Sequence, residues 1–180
     1  IMLSGGRAID LLPDTQKIYY KATAKVTPKG KSLNESLIAN KWNAATSEGV
    51  IVCASDITTI DPNAFSYNPD LISITIPNNV TSMGGEAFYK CDALTSVLIG
   101  NNVTSIGFDI FYSCPSLTSI IVSEGNSTYD SRENCNAIIK TATNELEIGC
   151  GSTIIPNSVT SIKDWSFAYC SNLTSITIPD

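Results

Sequence analysis

The groups in this 180-residue chain that could do chemistry are six cysteines and seventeen acidic residues, and histidine is missing altogether. Without an imidazole there is no Ser-His-Asp or Cys-His activation of a nucleophile, and most zinc sites lose a ligand. Two carboxylates alone can cleave a glycosidic bond. Here, however, Asp61, Asp70, Glu86, Asp92, Asp109 and Asp164 fall mostly in turn-forming stretches, with no spacing that repeats as a facing pair. They read as a solvated surface. Gly84-Gly85 and Gly149-Cys150-Gly151 lack the lysine and the strand-to-helix setting of a phosphate loop. No catalytic, cofactor-binding or metal-binding residue is assigned, and the chain reads as a protein that is not an enzyme.

The cysteines divide into two sets. Cys91, Cys114 and Cys170 occupy one position of a repeat and read as a row of small buried hydrophobes. Cys135 and Cys150 flank a hairpin centred on Ala142-Thr143, which sets Ile139 opposite Leu146, Ala137 opposite Ile148 and Cys135 opposite Cys150, with Lys140 meeting Glu145. An opposed antiparallel pair has its Cα atoms about 4.5–5.5 Å apart, inside the ~4.4–6.8 Å range of disulfides. A two-residue loop makes this the wider, hydrogen-bonded kind of pair, so two thiols on the hairpin's apolar face are favoured over a bond. The turn lacks Asn-Gly, and Asn144 is expected to shift it by adopting a left-handed conformation. Just upstream, Asp130 and Arg132 are expected to pair and pin the loop that leads into the hairpin.

The elements that position these residues follow from a fixed period. Leu71, Leu94 and Leu117 stand 23 residues apart, as do Ile74, Val97 and Ile120, and Phe65, Phe88 and Phe111. A period this short denotes a stacked repeat. Within each unit, L-x-x-I-x-I predicts a strand that buries three aliphatics, V-T-S-M or V-T-S-I a second short strand, and the phenylalanine a closing turn. Sliding the register backwards puts Ile51 under Ile74, Cys53 under Ile76 and Ile57 under Val80. Forwards, the interval from Leu117 to Leu173 is longer by ten residues, which locates the hairpin insertion at about 124–151. The predicted fold is thus a mainly β solenoid, a leucine-rich repeat array of 23-residue coils with two short strands per coil, an N-terminal β cap and one β-hairpin insertion. Residues 1–16 read as a tail or tether, 17–48 as the cap and 49–180 as the array. In the cap, Ile18, Tyr20, Ala22, Ala24 and Val26 alternate with polar residues as in a half-exposed strand, and residues 33–48 are ambiguous between a short helix and extended structure.

Hydrophobic residues make up 43% of the chain, charged residues 16%, and the net charge is -6. Residues 1–48 hold seven basic and four acidic residues, whereas 49–180 hold four basic and thirteen acidic ones. So acidic an array would repel nucleic acid. No apolar run reaches the length of a membrane span, and because Ile1 is not a natural initiator a preceding segment is expected. Asn34, Asn79, Asn102, Asn126 and Asn172 head N-x-Ser/Thr sequons that the repeat itself generates, so they are read as by-products rather than glycan sites.

LTSVLIGNNVTSIG and the units around it resemble the BspA-like leucine-rich repeats, over about residues 17–180. KIYYKATAKVTP with EGVIV, and YDSRENCNAII with TNELEIGC, resemble the cap and the recurring hairpin of such proteins in gut bacteria. The chain departs from the family pattern at Asn68, Met83-Gly84-Gly85 and Gly100, and stops at Pro179-Asp180 without a closing cap, which suggests a fragment or a very short member. The resemblance implies an exported, cell-surface or secreted, non-catalytic adhesion or protein-binding module, with host matrix or cell-surface proteins as partners. Its expected binding face is the outer strand row: Ser73, Thr75, Thr95, Ser96, Thr118, Ser119, Thr174, Ser175 and Thr177. A polysaccharide-binding component is the second reading, with Tyr67, Tyr89, Tyr112 and Tyr169 as the available platform for sugar rings. A structural spacer in a larger exported protein is the third. No cofactor is expected.

Overall fold

The computed structural model of the chain describes residues 11–168 and 170–179. Most of the expected tail, residues 1–10, therefore lies outside the described residues. Residues 11–16 pack on the fold: Leu12 is buried, Asp14–Gln16 form a 3-10 turn, and the Thr15 carbonyl accepts from the Ile57 N–H at 2.8 Å.

The N-terminal elements are β1 (Lys17–Ala22), α1 (Lys31–Ser36), β2 (Leu37–Asn43) and β3 (Glu48–Cys53). The stretch that was ambiguous in sequence is both things in turn, one end of a short helix and then a strand. Ile18, Tyr20 and Ala22 are buried while Tyr19 and Lys21 face out, the alternation expected of a sheet with one wet face. β1 pairs antiparallel with β3 on one side and with β5 (Leu71–Thr75) on the other. This replaces the expected placement of Ile51 beneath Ile74. Tyr20 stands between them in the sheet, opposite Gly49 and Ile74, and its ring lies where a Cβ on Gly49 would be, 2.1 Å from the nearest ring atom. Apolar spacing alone could not distinguish the two arrangements, because β3 carries the same inward pattern whichever strand it pairs with.

Two of the acids read as solvated surface hold this N-terminal piece in place. The Asp61 carboxylate accepts from the Ser32 N–H and hydroxyl, both at 2.7 Å, at the start of α1. Asp70 accepts from Thr23 through its main-chain carbonyl at 3.0 Å and also through its side chain.

From residue 59 onwards the chain repeats. β4 (Thr59–Ile60), β6 (Ser82–Met83) and β8 (Ser105–Ile106) form one parallel sheet; β5, β7 (Ser96–Ile99) and β9 (Ser119–Val122) continue the other. Ser73 pairs with Ser96 and Ser96 with Ser119, while Ile60 pairs with Met83 and Met83 with Ile106, each step being the period read from the sequence. Between the sheets lie Leu71, Ile74, Ile76, Val80, Leu94, Val97 and Ile99, all but inaccessible. Phe65, Phe88 and Phe111 stack along this core with centroids 5.5 Å apart at each step. The invariant threonine of the V-T-S and L-T-S triplets has a structural use. Thr95 donates both its N–H and its hydroxyl to the Ile72 carbonyl, at 2.8 and 3.0 Å, and Thr118, Thr81 and Thr104 repeat the contact one unit away. At Gly107 the neighbouring repeat passes so close that a Cβ would lie 2.3 Å from the Gly85 nitrogen, which accounts for glycine there.

The insertion contributes β10 (Tyr129–Asp130), β11 (Ile138–Lys140) and β12 (Glu145–Ile148), followed by β13 (Ser161–Ile162). Ile139 faces Leu146 and Lys140 faces Glu145 as expected, and Asn144 takes the left-handed conformation with φ 53°. Past that point the expected register is wrong: Ile138, not Ala137, faces Ile148, because Glu147 bulges out of the ladder. The bulge lets Glu147 leave strict alternation and stay buried between two cations, 3.0 Å from Lys163 Nζ and 3.8 Å from Lys140 Nζ. The same one-residue shift takes Cys135 and Cys150 out of their facing positions. Both are free thiols; Cys135 packs with Ala137, Ile139, Leu146 and Ile155, and Cys150 joins the main core. The Asp130–Arg132 pair is bidentate, with Nε to Oδ1 at 2.8 Å and a second contact at 2.6 Å, and the guanidinium also donates to Asn144 Oδ1 at 2.8 Å. β13 pairs with β12 rather than with β8.

Candidate functional site

Ladder pairing sets the outer face of the larger sheet. Ser73, Ser96 and Ser119 line up as one half-buried row, and Tyr19, Thr75, Leu98 and Ile121 line up as the next, crossing four consecutive strands. Tyr19, Leu98 and Ile121 are 45%, 37% and 49% exposed, which is unusual for three large side chains in register. Thr95 and Thr118 are exposed at the start of their strands, with their hydroxyl protons engaged in the threonine ladder. Thr174, Ser175 and Thr177 are exposed but lie in no strand, so the sheet ends at β9 and these three do not extend the row. Just before β9 the Leu117 carbonyl accepts from the Gly151 N–H and from Asn172 Nδ2, both at 3.1 Å, and at its end the Val122 N–H donates to Ser131 Oγ at 3.0 Å.

A groove of about 630 Å³ opens between the phenylalanine turn of residues 107–114 and the turn of residues 163–168. Phe108, Phe111, Ile148 and Trp165 give it apolar walls, with Glu145 and Lys163 among the charged residues at its border. Phe108 and Trp165 are 74% and 80% exposed.

The main chain explains why the groove is there. In the first turn, the N–H groups of Asn63, Phe65 and Tyr67 donate to the carbonyls of Gly85, Ala87 and Tyr89 in the second at 2.7–3.1 Å. In the second, Glu86, Phe88 and Lys90 donate to Phe108, Ile110 and Tyr112 in the third at 2.9–3.0 Å. Left-handed residues recur at Asn63 and Tyr67, Glu86 and Lys90, and Asp109 and Ser113, so the third turn has the same shape. Yet its donors, the N–H groups of Asp109, Phe111 and Ser113, meet no main-chain carbonyl among the described residues. The insertion has displaced the turn that should accept them. Across the gap, the Ser166 carbonyl is taken by the Gly149 N–H at 2.8 Å, as the chain leaves the hairpin.

Residues 44–148 and 147–180 match the BspA type leucine rich repeat region, in six copies. The chain belongs to this family. Two solved structures are similar to it. One is a leucine rich cell surface protein from Faecalibacterium prausnitzii A2-165, 23% identical, with a TM-score of 0.49 over 68% of this chain and 39% of that one. The other is a leucine-rich repeat protein from Eubacterium ventriosum ATCC 27560, 22% identical, with a TM-score of 0.42 over 69% of this chain and 46% of the other. The chain thus spans less than half the length of either. No curated protein matches it.

Two further rows run along this BspA-type array. Tyr67 and Tyr89 meet edge to face at 5.1 Å, Tyr89 and Tyr112 are tilted at 42° with centroids 5.2 Å apart, and Lys90 Nζ sits 5.5 and 5.4 Å from the first two rings. Tyr169 lies outside the described residues. Of the repeat cysteines, Cys91 donates to the Phe65 carbonyl at 3.1 Å and Cys114 to the Phe88 carbonyl at 3.0 Å, both in the turn before; Cys170 donates instead to the Gly149 carbonyl at 3.6 Å and is only half-buried, so the expected buried row stops at Cys114. Contact with the Cys91 sulfur, together with burial, pushes the Cys114 thiol well above the ordinary thiol range. Three sequon amides are likewise in use: those of Asn79, Asn126 and Asn172 donate to main-chain carbonyls. Among the described residues no cluster of three metal-ligating side chains forms, and no helix is long and apolar enough to cross a membrane.

Spacing did not disclose the groove. Its one trace in the sequence is the lengthened interval between Leu117 and Leu173, which tells that a repeat is interrupted but not that its neighbour's donors are left open.

Proposed function

We propose that the chain is one stretch of a solenoid of 23-residue coils, displayed on a bacterial surface, that works as a non-catalytic protein-binding module. Host matrix or cell-surface proteins are the expected partners, and export follows from the same reading. The observation that carries it is the Tyr19–Thr75–Leu98–Ile121 line. Neighbouring strands lie about 4.8 Å apart, so the line is a continuous ridge of partly apolar side chains, flanked by a serine row. A ridge of this kind suits the dry centre of an interface with a polar rim.

The test is binding of the intact chain to immobilised extracellular-matrix proteins, alongside a glycan array. Leu98→Ser with Ile121→Ser should weaken protein binding about tenfold or more without lowering the melting temperature. Undiminished binding by that variant would remove the ridge from the interface. A second reading, polysaccharide binding, draws support from the Tyr67–Tyr89–Tyr112 row, since aromatic rings suit the apolar faces of sugars. It predicts glycan-array signals that Tyr67→Ala abolishes and Leu98→Ser leaves intact.

A further inference from the structure

We propose that the groove between residues 107–114 and 163–168 is a second binding site, separate from the outer sheet face, and that it receives a short polypeptide segment carrying lysine or arginine beside an apolar side chain. Three independent features of the groove define that occupant.

The first is the row of open donors at Asp109, Phe111 and Ser113. Donors at alternate residues on one edge match carbonyls that recur along a polypeptide, and the two preceding turns show the match made twice within this chain. Addition of a peptide to an exposed main-chain edge is a general mode of recognition, in which the backbone gives affinity and side-chain niches give selectivity. The second feature is apolar. Phe108 and Trp165 stand largely in solvent at the two rims, and Phe111 is half-buried where its sister Phe88 is fully enclosed. A side chain placed there would gain ring contacts that the second turn obtains from the third. The volume, about 630 Å³, is within the usual range for sites that enclose a small ligand.

The third feature is charge. Glu145, Asp109 and Asp164 border the groove, and its cation, Lys163, is already paired at 3.0 Å with the buried Glu147. The balance is negative, as it is over residues 49–180 as a whole. A free carboxylate or phosphate would meet the donors but also this acidic border. A peptide offers neutral carbonyls to the donors and a basic side chain to the border, satisfying both at once.

The test uses the intact chain and a displayed library of random heptapeptides. Recovered sequences should combine Lys or Arg with Leu, Ile or Phe, and one of them, synthesised and labelled, should lose about fivefold or more in affinity for Phe108→Ala and for Asp109→Asn with Asp164→Asn. The charge variant should also flatten the dependence of binding on salt. Leu98→Ser with Ile121→Ser should bind it normally, which separates this site from the outer face. Amide exchange adds a readout that mere surface adhesion would not move: bound peptide should slow exchange at Asp109, Phe111 and Ser113. Acidic or charge-indifferent consensus sequences, protection confined to other residues, a glycan occupying the groove instead, or self-association that Phe108→Ala abolishes would each overturn the proposal.

Discussion

Phe88→Ala tests whether the stack of phenylalanine turns carries the stability of the array. Phe88 is fully buried and lies between two rings, Phe65 at 5.5 Å and 4° and Phe111 at 5.5 Å and 25°. Removing a buried phenylalanine costs about 3–5 kcal/mol, and with aromatic contacts at ~0.5–1.5 kcal/mol each and a rigid turn on either side to resist collapse, the loss belongs near the upper end. Phe111 occupies the same repeat position and would be expected from sequence to cost the same. The structure separates them. Phe111 has one stacking partner and opens on the groove, so Phe111→Ala should cost about half as much, roughly 2.5 kcal/mol. Urea unfolding followed by far-UV circular dichroism gives both values. Equal losses, or a Phe88→Ala loss below ~1 kcal/mol, would refute the argument that neighbouring turns are the source of the energy.

Other perturbations reach other parts of the chain. Arg132→Ala should release Asp130 and Asn144 together and speed amide exchange over residues 129–145, at a cost of about 1.5–3 kcal/mol for charge-assisted bonds. Partial burial opposes ionisation of Asp130, but its hydrogen bonds and charge contact with Arg132 outweigh this and hold its carboxyl below the usual range. That depressed value stabilises the fold above the unfolded carboxyl's pKa of about 3.9 and ceases to do so as pH falls through the folded value. The stability gap between wild type and Arg132→Ala should accordingly narrow on acidification through that window. Gly107→Ala, whose Cβ would lie 2.3 Å from the Gly85 nitrogen, should destabilise by about 1–3 kcal/mol, measured by the same urea series. Thiol titration of the denatured, unreduced chain should find six free thiols; four, with Cys135 and Cys150 linked in a peptide map, would show that the hairpin closes as a disulfide.

What the sequence made legible was whatever a repeat can display. The partners Ile74, Val97 and Ile120, and Ile60, Met83 and Ile106, follow from spacing because each unit meets its neighbour in the same register. The Asp130–Arg132 pair and the left-handed Asn144 followed from local turn chemistry. The failures share a cause, which is that each depends on a contact made once. β1 enters the sheet between β3 and β5, a pairing that no repeat announces. Glu147 breaks the hairpin register because two lysines from different strands converge on it. Thr174, Ser175 and Thr177 match the consensus of the outer row and still lie outside the sheet, since the insertion puts Ser131 at the end of β9, where it accepts from the Val122 N–H. A residue's type fixed its capacity in each case, and its neighbours fixed its use.

The same distinction bears on where an array of this kind can acquire a site. An uninterrupted stack satisfies its main chain unit by unit, and the ladder contacts of Thr95, Cys91 and Phe88 show how completely the consensus residues are consumed in doing so. Specificity has to come from positions released from that task. On the outer face these are the side chains at Thr75, Leu98 and Ile121, which vary in type while their backbone stays paired. At the insertion it is the backbone itself that is released, because the hairpin separates two turns and leaves one set of donors without main-chain acceptors among the described residues. The two surfaces therefore differ in what a side-chain change can do to them: such changes can erase the first, whereas at the second they reach the apolar walls and the charged border but, proline aside, leave the main-chain donors in place.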